Sequence, residues 1–243
     1  MSFARTDGRA ADEIRETEIQ PDFMPYAEGS ALIIMGDTRV VCSASIDESV
    51  PRWVRNKGEG WITAEYSMLP RATHTRTARD SSRGKTQGRA QEIQRLIGRS
   101  LRAIADLRAL GERTIYLDCD VLHADGGTRT AAITGAYVAF ALASNKLLRA
   151  GKITRPLMTD QVAAVSVGIV ENTPLLDLKY DEDSRAQVDM NIVCTSKGLF
   201  IELQGTAEKG PFSREQMDDL LQLGMAGIEV LLEKQKSIIS QVG

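Results

Sequence analysis

Three stretches of this 243-residue chain carry side chains suited to handling phosphate groups. The first is ADGGTRT (124–130). Gly126 and Gly127 would let the backbone approach a ligand closely. Thr128 adds a hydroxyl, and Arg129 adds a guanidinium whose forked N–H groups match phosphate oxygens. A helix beginning here would contribute free backbone N–H groups. By spacing alone, the same letters equally describe a tight turn in which the glycines serve geometry only.

The second stretch is EDSRAQVDMN (182–191), with Asp183 and Asp189. Their even separation puts both on one side of an extended segment. Two carboxylates there would suit Mg²⁺, which takes oxygen ligands and keeps several waters. Asp183, in a hairpin connection, reads as readily as a turn acid. Asp189 stands out because Val188, Met190 and Ile192 define the opposite, apolar face. The third stretch is a basic block from Arg71 to Arg102. It holds nine basic residues against two acids, Asp80 and Glu92, in a chain whose formal charge is −3. A local cationic block in an acidic protein points to a polyanion docking at one place. Gly84-Lys85-Thr86 within it resembles the end of a P-loop, but Arg79 stands where that pattern needs glycine, so an NTPase reading is rejected.

Other chemistries find little support. The two histidines, His74 and His123, have no matching third ligand for zinc. Cys42, Cys119 and Cys194 are far apart and fit buried, reduced thiols. The N-terminus is crowded with charge and lacks an apolar signal core. No apolar run approaches the roughly 20 residues of a membrane span. A soluble, cytoplasmic protein without a membrane partner is expected.

The elements that must hold these residues can be read from periodicity. ALIIM and TRVVCSASI flank Gly36-Asp37 and predict a hairpin over 31–46. ITAEY (62–66) predicts a strand. Residues 70–89 are polar and basic, and read as a long loop, of a length that is usually functional or disordered. Ile93, Ile97, Leu101 and Ile104 then recur at helical spacing, with Arg95, Arg99 and Arg102 on the outward face. TIYLDCDVL (114–122) predicts a strand leading through the glycines into a helix rich in small residues. Hairpins are expected over 162–178 and 188–204, the latter turning at Lys197-Gly198. Ser213 and Gln216 form a capping box that opens a C-terminal helix. Strands and helices mix without strict alternation, which predicts a single α+β domain spanning 1–243.

Phosphate attacking a phosphodiester would unite these parts. Two like charges about 4 Å apart repel by roughly 4 kcal/mol at an effective dielectric near 20. Such a site therefore needs cations on both anions and a sink for the leaving oxygen's charge.

At these residues the chain resembles the ribonuclease PH family. The resemblance runs through RTDGR (5–9), AEGS (27–30), GDTRVVCSASI (36–46), GWITAEYSMLPRATHTR (60–76), GRAQEIQRLIGRSLRA (88–103), DCDVLHADGGTRTAAITGA (118–136), VAAVSVGIV (162–170), EDSRAQVDMN and ELQGTAE (202–208). It implies two βαβα-like halves of the type shared with a ribosomal-protein domain, with mixed sheets and packed helices. It also implies a homohexamer built as a trimer of dimers, acting on tRNA precursors and other RNA 3′ ends. Inorganic phosphate would be co-substrate and Mg²⁺ the metal. The family's phosphate-binding positions fall on Arg89, Gly127, Thr128 and Arg129. Its catalytic and metal-associated aspartates fall on Asp183 and Asp189, and its tRNA-contacting arginines on Arg71, Arg76 and Arg79. The chain departs from the family at His123, where Gln is usual. It departs also at Ser49 before Val50-Pro51-Arg52, and at Arg15-Glu16-Thr17, where Arg-Pro-Val is usual. The expected activity is phosphate-dependent 3′→5′ trimming that releases nucleoside diphosphates. The alternative is a non-catalytic RNA-binding ring subunit of an exosome-type assembly.

Overall fold

The computed structural model describes residues 4–79 and 88–242. Asp80, Arg83 and Lys85 of the basic block, and the triplet Gly84-Lys85-Thr86, lie outside the described residues. The first half runs β1 (Thr17–Pro21), β2 (Gly29–Met35), β3 (Thr38–Asp47), β4 (Trp61–Met68), α1 (Gly88–Ala103), α2 (Leu107–Leu110), β5 (Thr114–His123) and α3 (Thr128–Arg149). The second runs β6 (Val162–Val170), β7 (Thr173–Leu176), α4 (Tyr180–Asp183), β8 (Val188–Thr195), β9 (Phe200–Ala207) and α5 (Arg214–Val242).

The strands form two sheets, ordered β1-β2-β3-β5-β4 and β7-β6-β8-β9. The first sheet is mixed, because β4 and β5 pair in parallel around the α1 crossover. The second is antiparallel throughout. All three expected hairpins form, and Gly36 (φ 55°) and Gly198 (φ 73°) take the left-handed backbone their turns require. Three short elements were not anticipated. β1 has one deeply buried apolar residue, Ile19, and is a strand because β2 pairs with it. α2 is one turn, held by the Asp106 carboxylate accepting from the N–H groups of Arg108 and Ala109. α4 is equally short.

α1 buries Ile93, Leu96, Ile97 and Leu101 as its periodicity predicts. Arg95 and Arg99 are exposed, Arg99 pairing with Glu202. Arg102 corrects the expectation of an outward face. Its guanidinium lies 4.5 Å over the Trp61 ring and donates to the Ile62 carbonyl at 2.7 Å. The Trp61 aromatic face and the Ile62 carbonyl, near the start of β4, draw it onto the sheet.

α3 is the hub of the core. Every residue from Thr130 to Ser144 is buried, with β2, β3 and β5 on one side and β6 and α5 on the other. It is long and apolar enough to cross a membrane, contrary to the expectation that no such run exists, and it serves as a core helix instead. Polar ties reinforce the packing. The Thr134 hydroxyl accepts from the Ala164 N–H at 3.1 Å, and buried Gln235 of α5 donates to the carbonyls of Thr134 and Val162. Cys42 and Cys119 face each other on β3 and β5 beneath α3, and all three cysteines are free and buried. The capping box opening α5 forms as read, Ser213 N–H to Gln216 and Gln216 N–H to Ser213.

Small residues let the backbones touch. A Cβ on Gly29 of β2 would fall 2.1 Å from the Ala139 carbonyl oxygen and 2.5 Å from the Ala143 nitrogen, both backbone atoms of α3. Gly29→Ala must therefore push the helix off the sheet. It is expected to cost about 3 kcal/mol or more, read as a fall in the urea midpoint. An unchanged midpoint would show that the contact yields freely.

Candidate functional site

Strands β8 and β9 of the second sheet build the floor of a cavity of about 450 Å³. On β8, Val188, Met190 and Ile192 point into the core, which turns Asp189 and Asn191 to the other face. β9 pairs beside it, with Thr206 opposite Asp189 and Gln204 opposite Asn191, so four polar side chains share one surface. Arg89 and Glu92 from the first turns of α1, and Arg129 from the first turn of α3, form one wall. Asp183, Ser184 and Ala186 form another, with Glu208 and Lys209 at the rim.

Asp183 and Asp189 meet here, though not by the predicted route. Asp183 ends α4 and is not part of an extended segment; the bend between α4 and β8 brings it to Asp189. Glu182 fixes that bend. Its carboxylate accepts from the Lys179 N–H at 3.1 Å and is gripped by Arg5, with Nε and Nη2 each at 2.8 Å.

Burial first, then the charge of Asp183, pushes the Asp189 carboxyl up to about 6; Glu208 adds to this, and Arg129 and Arg89 oppose it. Asp183 is also raised, by burial, with Arg89 and Arg129 pulling it down and Glu208 pushing it up. The cavity thus sets two reluctant carboxylates against two arginines. Arg129 donates to the Gln204 side-chain oxygen and lies 3.8 Å from Glu92, while Gln204 donates to Glu92 at 2.6 Å.

Of the residues read as phosphate-binding, Arg89 and Arg129 line the cavity, and Gly127 and Thr128 do not. Gly127 is the left-handed cap of α3 (φ 63°). Thr128 is buried, its hydroxyl accepting from Tyr66 Oη at 2.8 Å, so these two shape the helix start behind Arg129. Arg71, Arg76 and Arg79 are exposed on the loop after β4 and do not reach the cavity. Their loop approaches it: Thr77 and Ala78 join Tyr66, Met68 and Arg89 around a smaller cleft of about 100 Å³. Arg79 is close enough to Asp120 to oppose the upward push that burial gives that carboxyl. His123 is exposed beside the Asp37 carbonyl, and His74 is exposed 6.0 Å from the Tyr180 ring.

Sequence reading assigned no role to Asn191, Gln204, Thr206, Glu208 or Lys209. The period-two spacing of Gln204, Thr206 and Glu208 was the available signal, but β9 pairs with β8 only in three dimensions. Among the described residues, no group of three His, Cys, Asp or Glu side chains could hold a metal ion. Asp183 and Asp189 nonetheless suit Mg²⁺ in a site completed by water and substrate oxygens, since the divalent charge would relieve their mutual repulsion.

The sequence patterns of domains 1 and 2 of the 3′ exoribonuclease family match residues 13–145 and 160–227. Among solved structures, rice (Oryza sativa) Rrp46 superimposes with a TM-score of 0.79 at 18% identity, covering 97% of this chain and all of that one. A chain of the Archaeoglobus fulgidus exosome with RNA bound to the active site gives 0.80 at 25% identity, covering 95% and 92%. A chain of an archaeal exosome core gives 0.73 at 23%, covering 96% and 91%.

The raised Asp189 carboxyl makes a stability prediction. Its charged form is disfavoured by folding, so the cost is absent below the unfolded pKa near 4 and fully present above about pH 6. Asp189→Asn is expected to stabilise the fold by about 1–2 kcal/mol at pH 7.5, with the gain fading towards pH 4. Thermal melts across this range check it. A gain that grows on acidification would contradict the assigned cause.

Proposed function

Because the chain belongs to the ribonuclease PH family of 3′ exoribonucleases, we propose that it shortens RNA from the 3′ end with inorganic phosphate as the attacking group. The substrates are tRNA precursors and other RNA 3′ ends, and the working form is a cytoplasmic homohexamer, a trimer of dimers. The observation that carries the reading is the convergence of Arg89, Arg129, Asp183 and Asp189 on one cavity.

Arg89 and Arg129 hold inorganic phosphate and offset its repulsion from the RNA phosphodiester. A phosphate oxygen attacks the last phosphorus and the P–O3′ bond breaks. The terminal nucleotide leaves as a nucleoside 5′-diphosphate. The O3′ of the shortened RNA takes up a proton, and Asp189, with its raised pKa, is placed to supply it. Asp183 and Asp189 would hold Mg²⁺, which would supply positive charge against the developing negative charge. Gly127 and Thr128 seat the α3 terminus from which Arg129 projects. The exchange of one phosphorus–oxygen bond for another makes the reaction reversible. Arg71, Arg76 and Arg79 grip the RNA backbone outside the cavity.

A second reading is an RNA-binding ring subunit without catalysis, favoured by the likeness to exosome subunits. The presence of both arginines and both aspartates at one cavity supports the catalytic reading over it. Product identification separates them. Incubation with RNA and phosphate is expected to yield nucleoside diphosphates, phosphate omission to stop release, and Asp189→Asn to cut turnover by about 100-fold or more while RNA binding persists. Monophosphates formed equally without phosphate would reject phosphorolysis, and no products at all would favour the second reading.

The two sets of arginines are expected to separate. Arg76→Ala should flatten the log–log salt dependence of RNA binding by about 0.7 and leave the phosphate requirement near wild type. Arg129→Ala should raise the phosphate requirement strongly, and Lys there should rescue only in part because it lacks the fork. Equal effects of both substitutions on both ligands would show one shared site.

A further inference from the structure

Two arginines of the N-terminal segment are buried against the halves of the site and take no part in its lining. The Arg15 guanidinium donates through Nε and Nη2 to both oxygens of Asp177, at 2.9 and 2.7 Å, and the Arg15 N–H donates to the same carboxylate at 2.8 Å. Its other face reaches the Asp125 carbonyl at 2.5 Å and the Gly126 carbonyl at 3.4 Å. Thr38 completes the arrangement. Its hydroxyl donates to the Gly126 carbonyl at 2.7 Å and accepts from the Asp125 N–H at 3.0 Å. Asp177 and Thr38 are wholly buried, and Arg15 is 4% exposed.

These contacts join two pieces of chain that carry the chemistry. Asp125 and Gly126 run directly into the first turn of α3, where Arg129 stands. Asp177 begins the connection from β7 into α4, which ends at Asp183. The two pieces also touch directly. A Cβ on Gly126 would lie 2.5 Å from the Leu178 carbonyl oxygen, and the Tyr180 N–H donates to Asp125 at 3.3 Å. Only a planar fork of several donors can hold one carboxylate bidentately and two carbonyls at the same time.

We propose that Arg15, Asp177 and Thr38 form a positioning clamp that sets Arg129 against Asp183 and thereby fixes the affinity for inorganic phosphate. The proposal rests on the phosphorolytic reading of the same cavity. The clamp touches neither phosphate nor RNA. It ties the α3 terminus of the first half to the carboxylate-bearing turn of the second. In a trans peptide the N–H points opposite to the C=O. Drawing the carbonyls of Asp125 and Gly126 towards Arg15 therefore turns the N–H groups of Gly126 and Gly127 away from it and fixes the entry into the helix. A small slip here moves the Arg129 fork relative to the aspartates.

The test uses Thr38→Val, which keeps the shape and introduces no buried charge, Thr38→Ser as its conservative rescue, and Arg15→Lys, which keeps the charge but loses the fork. Each assembled variant is assayed for RNA shortening with phosphate and RNA varied separately. Thr38→Val and Arg15→Lys are expected to raise KM for phosphate by about tenfold with the KM for RNA nearly unchanged. Thr38→Ser should stay near wild type. Should Arg15→Lys fail to fold, Thr38→Val decides alone. A folded Thr38→Val with an unaltered phosphate KM, or with both KM values raised in step, overturns the clamp. Amide hydrogen exchange over residues 124–129 gives a readout independent of activity. Faster exchange there in Thr38→Val, at unchanged global stability, supports the clamp, and unchanged exchange overturns it. A wild-type protein that releases no diphosphates refutes the phosphorolytic reading instead, and the exchange experiment then judges the clamp by itself.

Discussion

Burial of α3 on all sides is the constraint from which the rest of the molecule follows. A helix with no solvent-facing stripe over fifteen residues, Thr130 to Ser144, must be enclosed by two layers. The first sheet supplies one, and β6 with α5 supplies the other. Alanine, glycine, serine and threonine dominate α3, so its backbone can lie against that of β2 at Gly29 and against the Ile33 and Cys42 side chains at Gly135. One continuous core therefore spans both sheets. Because α3 sits between them, its N-terminus emerges at their junction, and Arg129 comes to face carboxylates from the opposite half.

That junction sets arginines of the first half against carboxylates of the second. Asp183 and Asp189 are partly desolvated and repel each other, and Arg89 and Arg129 only partly offset this. Such an arrangement lowers stability in the empty protein and favours cations or anionic ligands that complete the balance. The same surface is closed below by β8 and β9, whose pairing places Asn191, Gln204 and Thr206 among the charged groups. The cavity is accordingly lined almost wholly by polar and charged side chains.

The N-terminal segment solves a different electrostatic problem. Arg5 and Arg15 are buried, and burying a cation is costly unless it is paired and its donors are used. Each meets a fully buried acid, Glu182 for Arg5 and Asp177 for Arg15, and turns its remaining donors to backbone carbonyls, Arg15 also donating to the Thr38 hydroxyl at 3.4 Å. The attraction of Arg15 holds the Asp177 carboxyl below its ordinary value despite burial. Asp177 itself adopts a left-handed backbone (φ 52°), a conformation asparagine and aspartate accept more readily than most residues. The chain leaves β7 at this point in the direction that leads to α4 and the site.

The α+β class, the three hairpins, the amphipathic face of α1, the α5 cap and the identities of Arg89, Arg129, Asp183 and Asp189 were legible in the sequence. Each is written in local spacing or in a resemblance carried by contiguous residues. Periodicity of two or three to four residues reports which side of an element is buried, and Asp189 opposite Val188, Met190 and Ile192 is an example. What local spacing does not report is which elements meet. β1 reads as a strand only once β2 is beside it. Arg102 has an outward position by its helical angle, yet lies over Trp61 because β4 passes there. Asp183 and Asp189 were matched by an extended alternation that the chain does not adopt, and the α4 bend brings them together. The pairing of Arg15 with Asp177 spans 162 positions, and the shared floor of Asn191, Gln204 and Thr206 exists only because β9 lies against β8. Sequence determined the chemical inventory and the buried faces, because these depend on neighbours along the chain. Tertiary structure decided the distances between charges, because Coulomb attraction, desolvation and packing act between groups that the chain itself keeps far apart.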